Sequence, residues 1–229
     1  LEPEELCEAV IGFFQPKLLA GRRVVMTAGP TFEPIDPVRG ITNSSSGKMA
    51  YGLARACVQA GAEVVLVSGP VALPVPMGAH RVSVRSALEM REAVLAAVPG
   101  SDVFIGVAAV ADYRPAAAAE HKIKKSGAEL AITLTPNPDI LAEVAALPNP
   151  PFCVGFAAES RNLDEYAEGK RKAKKLPMVV GNLVQDGLGG DDNQVVLFDE
   201  AGRHPLPKAP KPEVARSIVA HLAALLPRN

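Results

Sequence analysis

The sequence has no tryptophan and only seven phenylalanines and three tyrosines in 229 residues, so aromatic side chains cannot carry its core. Hydrophobic residues still make up 48%, and Ala, Val and Leu must do most of the packing, which suits layered α/β folds. Neither sign of charge prevails. With 24 basic and 25 acidic residues the net charge is −1, which argues against a protein built to coat nucleic acid or to bind an acidic membrane. Cysteine is scarce: Cys7, Cys57 and Cys153 are far apart and odd in number. They form no zinc-like spacing and no disulfide framework, so reduced thiols in a cytoplasmic protein are expected. No apolar run approaches the ~18 residues needed to span a bilayer. Asn43-Ser44-Ser45 matches a glycosylation acceptor only formally, since no signal peptide accompanies it. His80, His121, His204 and His221 form no metal-like pair along the chain. No GxSxG or Cys–His signature points to a nucleophile.

What is present is an alternation of short apolar runs and amphipathic stretches. Residues 1–20 read as a short amphipathic helix and a lead-in. Because the chain opens on Leu1 rather than Met, it is expected to come from a longer polypeptide. Residues 21–229 read as one domain. The expected strands are Arg23–Ala28, Glu63–Ser68, Arg81–Val84, Asp102–Val107, Leu130–Leu134, Phe152–Phe156 and Met178–Gly181. Gln194–Phe198 and Arg203–Leu206 form an expected hairpin. Helices are expected over Ser46–Ala60, Ala87–Val98, Asp139–Ala146, Leu163–Lys175 and Glu213–Leu226. Strand–helix alternation of this kind implies a mainly parallel sheet with helices on both faces, a Rossmann-like three-layer sandwich.

In such sheets, ligands bind beyond the carboxyl ends of the strands. Three of those ends carry candidate chemistry. The first runs from Gly29 through Asn43 to Ser45-Ser46-Gly47-Lys48, where hydroxyls, a glycine and a lysine meet a helix start. Backbone N–H groups and the positive dipole end favour an anion there. Simple N-capping would need only one serine. The spacing is not that of a Walker A loop, because six residues separate Gly40 from Gly47 and Met49 follows Lys48. The second end is Val107-Ala108-Ala109-Val110-Ala111-Asp112. Its small residues allow a base or ribose close to the backbone, and Asp112 suits a hydroxyl or a metal, although tight packing and a turn-starting Asp fit equally well.

The third group is basic. Lys122, Lys124 and Lys125 follow the second loop, and Lys170, Arg171, Lys172, Lys174 and Lys175 lie on a helix. At 100° per residue, Leu163, Tyr166, Lys170 and Lys174 fall within about 80° of one another, so two lysines extend an apolar stripe. They are the expected phosphate contacts, and Arg171, Lys172 and Lys175 are expected to be solvated. Asn137-Pro138-Asp139-Ile140 reads as an N-cap, a Pro at the first helical position and an acid in the first turn. Phe156 ends a core strand, where it either stacks on a base or fills core.

These motifs, read together, resemble a known family. TAGPT, DPVRGITNSSSGKM, AAVADYR, KIKK, NPDI, VGFAAE and the Lys-rich helix occur in the order found in bacterial phosphopantothenate–cysteine ligase, the CoaB domain of bifunctional flavoproteins. The resemblance implies a Rossmann-like homodimer. It implies CTP and Mg2+ as nucleotide substrate and cation, with 4′-phosphopantothenate and L-cysteine as the other substrates. By the same resemblance, Asn43 handles the acyl-nucleotide intermediate and Lys122 is needed for activation. Gly29, Ser45, Ser46, Gly47, Lys48, Val107, Ala108, Ala109, Asp112, Lys122, Asn137, Pro138, Asp139, Ile140, Phe156, Lys170 and Lys174 fall at nucleotide-contacting positions. The flavin-dependent decarboxylase that precedes this domain in the family is absent from the chain, so no FMN is expected in it. Two departures stand out: Ala50 replaces a frequent Gly, and Gly181-Asn182-Leu183 replaces a frequent Ala-Asn-Asp. A dehydrogenase would need GxGxxG and a later acid, and both are missing. A non-catalytic nucleotide-binding dimer is the alternative reading.

Overall fold

A computed structural model describes residues 2–125, 127, 129–183 and 190–227. Strands β1 (Arg23–Ala28), β4 (Glu63–Ser68), β5 (Ala79–Ser83), β6 (Val103–Gly106), β9 (Phe152–Glu159) and β10 (Met178–Leu183) run parallel in one sheet. The antiparallel hairpin of β12 (Val196–Asp199) and β13 (Gly202–Pro205) extends one edge of it. The sheet order is β13-β12-β10-β9-β6-β1-β4-β5. Three two-stranded ribbons lie outside the sheet. They pair β2 (Phe32–Pro34) with β3 (Gly40–Thr42), β7 (Tyr113–Pro115) with β8 (Leu134–Pro136), and β11 (Asp192–Asn193) with β14 (Ala209–Pro210).

The alternation of side chains along the strands builds two separate cores. Val24 and Met26 of β1, Val64 and Leu66 of β4, and Val103 and Ile105 of β6 point to one face. Val25, Val65, Val67 and Phe104 point to the other. The first face is covered by α2 (Lys48–Gln59), itself packed against α6 (Lys211–Leu225). Helices α3 (Ala87–Ala97), α4 (Ile140–Ala145) and α5 (Leu163–Ala173) cover the second face. The expected three-layer α/β architecture is therefore present. Helix α2 is buried over most of its surface. Ala50, Tyr51, Gly52 and Ala54 are inaccessible along with Leu53 and Cys57, because the helix lies between the sheet and α6.

Three details depart from the sequence reading. Leu130 and Ile132 lie outside any strand and are 55% and 38% exposed. The nearby strand, β8, pairs only with β7, away from the main sheet. Leu19, inside the segment read as a lead-in, is fully buried and donates its N–H to the Ala60 carbonyl oxygen at 2.9 Å. The N-terminal helix α1 (Pro3–Phe14) leaves Phe13 and Phe14 each 76% exposed. No described helix is long and apolar enough to cross a membrane.

Candidate functional site

Strands β4 and β5 extend the sheet on one side of β1, and β6, β9 and β10 on the other, so the switch point lies between β1 and β6. The loops leaving these two strands are stitched together. The Thr27 hydroxyl oxygen accepts from the N–H groups of Val107 and Ala108 at 3.2 and 3.1 Å. Ala109 N–H donates to Gly29 O at 2.9 Å, and the Thr31 hydroxyl oxygen accepts from Ala111 N–H at 3.0 Å. With these groups satisfied internally, small residues from both loops form the floor of a cavity of about 600 Å3.

The helix α2 start opens into this cavity. Its N-cap is Gly47, at φ 75°, and no side chain caps it. The Ser45 and Ser46 hydroxyls instead accept from Gly47 N–H and Lys48 N–H at 3.3 and 3.5 Å. The first-turn N–H groups of a helix have no intrahelical partner, so an anion is favoured here. Only glycine fits position 47. Besides the left-handed φ, an added Cβ would sit 2.9 Å from Val71 Cγ1 and 3.5 Å from Gly29 Cα.

Two cationic walls face each other across the cavity. On one side stand Lys170 of α5 and Lys174, the residue that caps its C-terminus. Lys170 Nζ donates to the Phe156 carbonyl oxygen at 2.5 Å, and Lys174 Nζ reaches Asp139 Oδ2 at 2.5 Å. Burial, and then the neighbouring Lys174, depress the Lys170 pKa, and Asp139, Glu159 and Asp112 only partly offset this. Burial opposes ionisation of Asp139, but Lys174 and Ala142 N–H hold its pKa below the usual carboxylate value. On the other side stand Lys48, paired with Asp191 at 2.7 Å, and Lys211. Lys211 is 5% exposed and bonds the Gly190 carbonyl oxygen. Its pKa is lowered first by burial and then by Lys48.

The cavity wall thus brings together Gly29, Ser45, Ser46, Gly47, Lys48, Val107, Ala108, Ala109, Asp112, Asn137, Pro138, Asp139, Ile140, Phe156, Lys170 and Lys174. Two expected site residues are not part of it. Asn43 is exposed, and its Nδ2 donates to Ala109 O of the floor loop at 2.7 Å. Lys122 is exposed on a separate arm. That arm is held by the DPVR motif. Asp36, 1% exposed, accepts from Ile123 N–H at 3.1 Å, and Arg39 Nη2 donates to Ile123 O at 2.8 Å. Arg39 also pairs directly with Asp36, and it is first of all this guanidinium that pushes the Asp36 pKa far down.

Several local expectations are corrected by the geometry. Asp139, not Asn137, caps α4, accepting from Ala142 N–H at 3.0 Å. Asn137 instead donates to Ala111 O at 2.8 Å and accepts from Arg114 at 3.0 Å, which ties α4 to the floor loop. Arg171 is not simply solvated, since it forms a two-pronged pair with Glu168 at 2.7 and 2.8 Å. The Phe156 ring packs against the core while bordering the cavity. Lys211 and Asn193, which the sequence does not single out, also line the cavity, as does Asn182 of the Gly181-Asn182-Leu183 departure. Lys211 stands one residue after Pro210 in what reads as a polar lead to the last helix, and no local signal marks it. Gly181 has a packing reason: an added Cβ would sit 2.9 Å from Leu163 Cδ1 and 3.1 Å from Phe198 Cε2. Finally, His204 and His221, unpaired in sequence, meet at Asp199.

Comparison with known proteins fits this geometry. The profile of the DNA/pantothenate metabolism flavoprotein C-terminal domain matches residues 19–226. The Coenzyme A biosynthesis bifunctional protein CoaBC of Vibrio cholerae is 51% identical over 97% of this chain and 57% of its own length. The Escherichia coli protein of the same name is 47% identical over 90% of this chain and 53% of its own. The chain therefore spans little more than half the length of these relatives. The crystal structure of a CoaBC C-terminal domain superposes with a TM-score of 0.79 at 41% identity, covering 91% of this chain and 97% of that one. A Cab2 mutant in complex with phosphopantothenate-cysteine shares the fold at a TM-score of 0.72 and 16% identity. The chain belongs to the family of DNA/pantothenate metabolism flavoprotein C-terminal domains.

Proposed function

We propose that the chain joins 4′-phosphopantothenate to L-cysteine in coenzyme A synthesis, with CTP as the activating nucleotide. The observation that carries this reading is a single cavity with an open helix N-terminus and lysines on two opposite walls. A carboxylate and a triphosphate repel each other, and their reaction needs fixed positive charge and N–H donors more than a protein nucleophile. The buried thiols agree with this, because burial pushes both Cys57 and Cys153 up to about 12.

In the proposed reaction the pantothenate carboxylate attacks the α-phosphorus of CTP, and pyrophosphate leaves. The cysteine amine then displaces CMP from the acyl-cytidylate and forms the amide. Lys170, Lys174, Lys48 and the start of α2 neutralise the phosphates, and the Ala108–Ala109 floor receives the nucleoside. Asp112, an exposed carboxylate on the cavity wall, fits a role as the one protein ligand of Mg2+ otherwise held by phosphates and water. The ion would neutralise phosphate charge.

Asn43 and Lys122 act from outside the single-chain cavity, so a homodimer is part of this proposal. In support, exposed apolar residues occur in the arm that carries Lys122 and in the segments that flank and hold it: Tyr113 at 53% and Leu134 at 44% on the β7–β8 ribbon, Leu130 at 55% just before β8, and Val38 at 61% in the DPVR motif. The length of the relatives supports a flavin-dependent decarboxylase fused to this domain in the full protein. The test is pyrophosphate release with 4′-phosphopantothenate and each of the four nucleoside triphosphates, with and without cysteine. Release with CTP well above the others is expected. CTP binding without pyrophosphate release, with both substrates present, would favour a non-catalytic nucleotide-binding dimer.

A further inference from the structure

At the edge of the sheet farthest from β5, the chain gathers three potential metal ligands. Asp199 ends β12, His204 lies on the returning strand β13, and His221 projects from α6. In the β12–β10 register Phe198 faces Val179, next to the first residue of β10. Asp199 therefore lies beside the amino ends of the parallel strands, whereas the cavity lies beyond their carboxyl ends. None of the three side chains lines the cavity.

The donor atoms converge. His204 Nε2 is 3.0 Å from Asp199 Oδ1, and His221 Nε2 is 2.7 Å from Oδ2. The imidazole rings are 4.8 Å apart between centroids, and all three ligand atoms lie within 4.8 Å of one another. Among the described residues no other trio of His, Cys, Asp or Glu side chains meets this condition. A four-coordinate ion with bonds of about 2.0–2.2 Å separates its ligands by roughly 3.3 Å. The two histidine–carboxylate spacings are close to that edge, and rotation of the rings closes the rest.

The surroundings suit an ion as well. Asp199 is 2% exposed and is oriented from behind by the Ala201 and Gly202 N–H groups, which donate to Oδ1 at 2.8 and 3.2 Å. Such outer partners fix the direction of a ligating carboxylate. The rings, by contrast, are 36% and 24% exposed, which leaves an entry route and room for a water in the fourth position. Ligation requires each Nε2 to be free of a proton, so that the imidazole carries its one proton on Nδ1.

We propose that Asp199, His204 and His221 bind one divalent transition-metal ion of the zinc class. Two imidazoles and a carboxylate suit zinc, cobalt or nickel, whereas calcium and magnesium favour all-oxygen sites. The ion would tie the C-terminal helix to the edge hairpin.

The experiment uses the untagged chain, stripped with EDTA and titrated with zinc by calorimetry and with cobalt by visible absorption. One equivalent should bind, with a Kd on the order of micromolar or tighter. Cobalt should give the intense d–d bands of a four- or five-coordinate site, without a sulfur charge-transfer band. His204→Gln and His221→Gln should each weaken zinc binding about tenfold or more, and Cys7→Ser should change nothing. The wild-type titration decides even if a variant folds poorly. No saturable zinc binding would overturn the proposal and leave a hydrogen-bonded cluster only. Zinc binding that survives both histidine substitutions, or that is lost on Cys7→Ser, would overturn it too.

Discussion

Exchanging Lys170 for glutamine removes one positive charge from the cavity wall while keeping a donor for the Phe156 carbonyl. A charge-assisted hydrogen bond to a phosphate contributes about 1.5–3 kcal/mol. At about 1.4 kcal/mol per decade, Lys170→Gln should raise the Kd for CTP roughly 12- to 140-fold. Lys174 should matter less, because its ammonium is already engaged by Asp139 at 2.5 Å. With an exposed ion pair worth at most about 1 kcal/mol, the Lys174→Gln penalty falls to about 0.5–2 kcal/mol, or roughly 2- to 30-fold. Asp139→Asn isolates that discount. Asparagine caps a helix as well as aspartate does, so α4 should persist while Lys174 is released. In that background Lys174→Gln should cost as much as Lys170→Gln. Calorimetric titration of CTP into each variant, at low and at moderate salt, measures all four affinities. A Lys170→Gln affinity within about twofold of wild type would refute the electrostatic reasoning. So would a Lys174→Gln variant weaker than Lys170→Gln.

Gly47→Ala should destabilise the fold by about 1–2 kcal/mol for the left-handed backbone, plus the clash with Val71. In thermal unfolding this lowers Tm by roughly 2–4 °C per kcal/mol, and adding Val71→Ala should return only the clash. Asp36→Asn should loosen the arm at Ile123, giving faster amide exchange there and faster tryptic cleavage after Lys122 and Lys124. Unchanged cleavage would mean that Asp36 does not hold the arm. Burial opposes ionisation of Asp102, but Arg23 N–H and the Arg22 guanidinium lower its pKa below 3.8. A lowered carboxylate pKa stabilises the fold above 3.8, and that contribution fades as pH falls further. Asp102→Asn should therefore reduce stability at neutral pH and flatten the acid limb of the stability curve below about 4.

The central strands were legible because β1, β4 and β6 are short, continuously apolar runs, the form taken by strands buried on both faces. The floor loops and the shared direction of Lys170 and Lys174 were legible because strand ends and helical spacing follow from chain geometry alone, but Tyr166, read on the same apolar stripe, is 43% exposed and Ala167 is buried instead. The misplaced features all depended on distant partners. Leu130–Leu134 has strand-like composition, yet its neighbour in space is the short β7 rather than a core strand. Asn137 and Asp139 are both good caps, and contacts with Ala111 and Arg114 drew Asn137 away from that role. His204 and His221 are brought together by a hairpin and a helix distant in sequence, which no local spacing encodes. The hold of Asp36 and Arg39 on Ile123, which sets Lys122 on an arm outside the single-chain cavity, likewise spans more than eighty residues and has no local signal.

The packing of α2 beneath α6 carries a consequence for how the molecule is made. Val24, Leu66 and Ile105 lie in the same core as Ile218 and Leu222 of the last helix. That helix leaves the ribosome only after every strand of the sheet has emerged. Until then one side of the nascent sheet lacks its outermost cover, and a greasy α2 surface faces the chaperones. Shortening the C-terminal helix should thus show first as poor recovery of soluble protein from cells, before any change in the finished cleft.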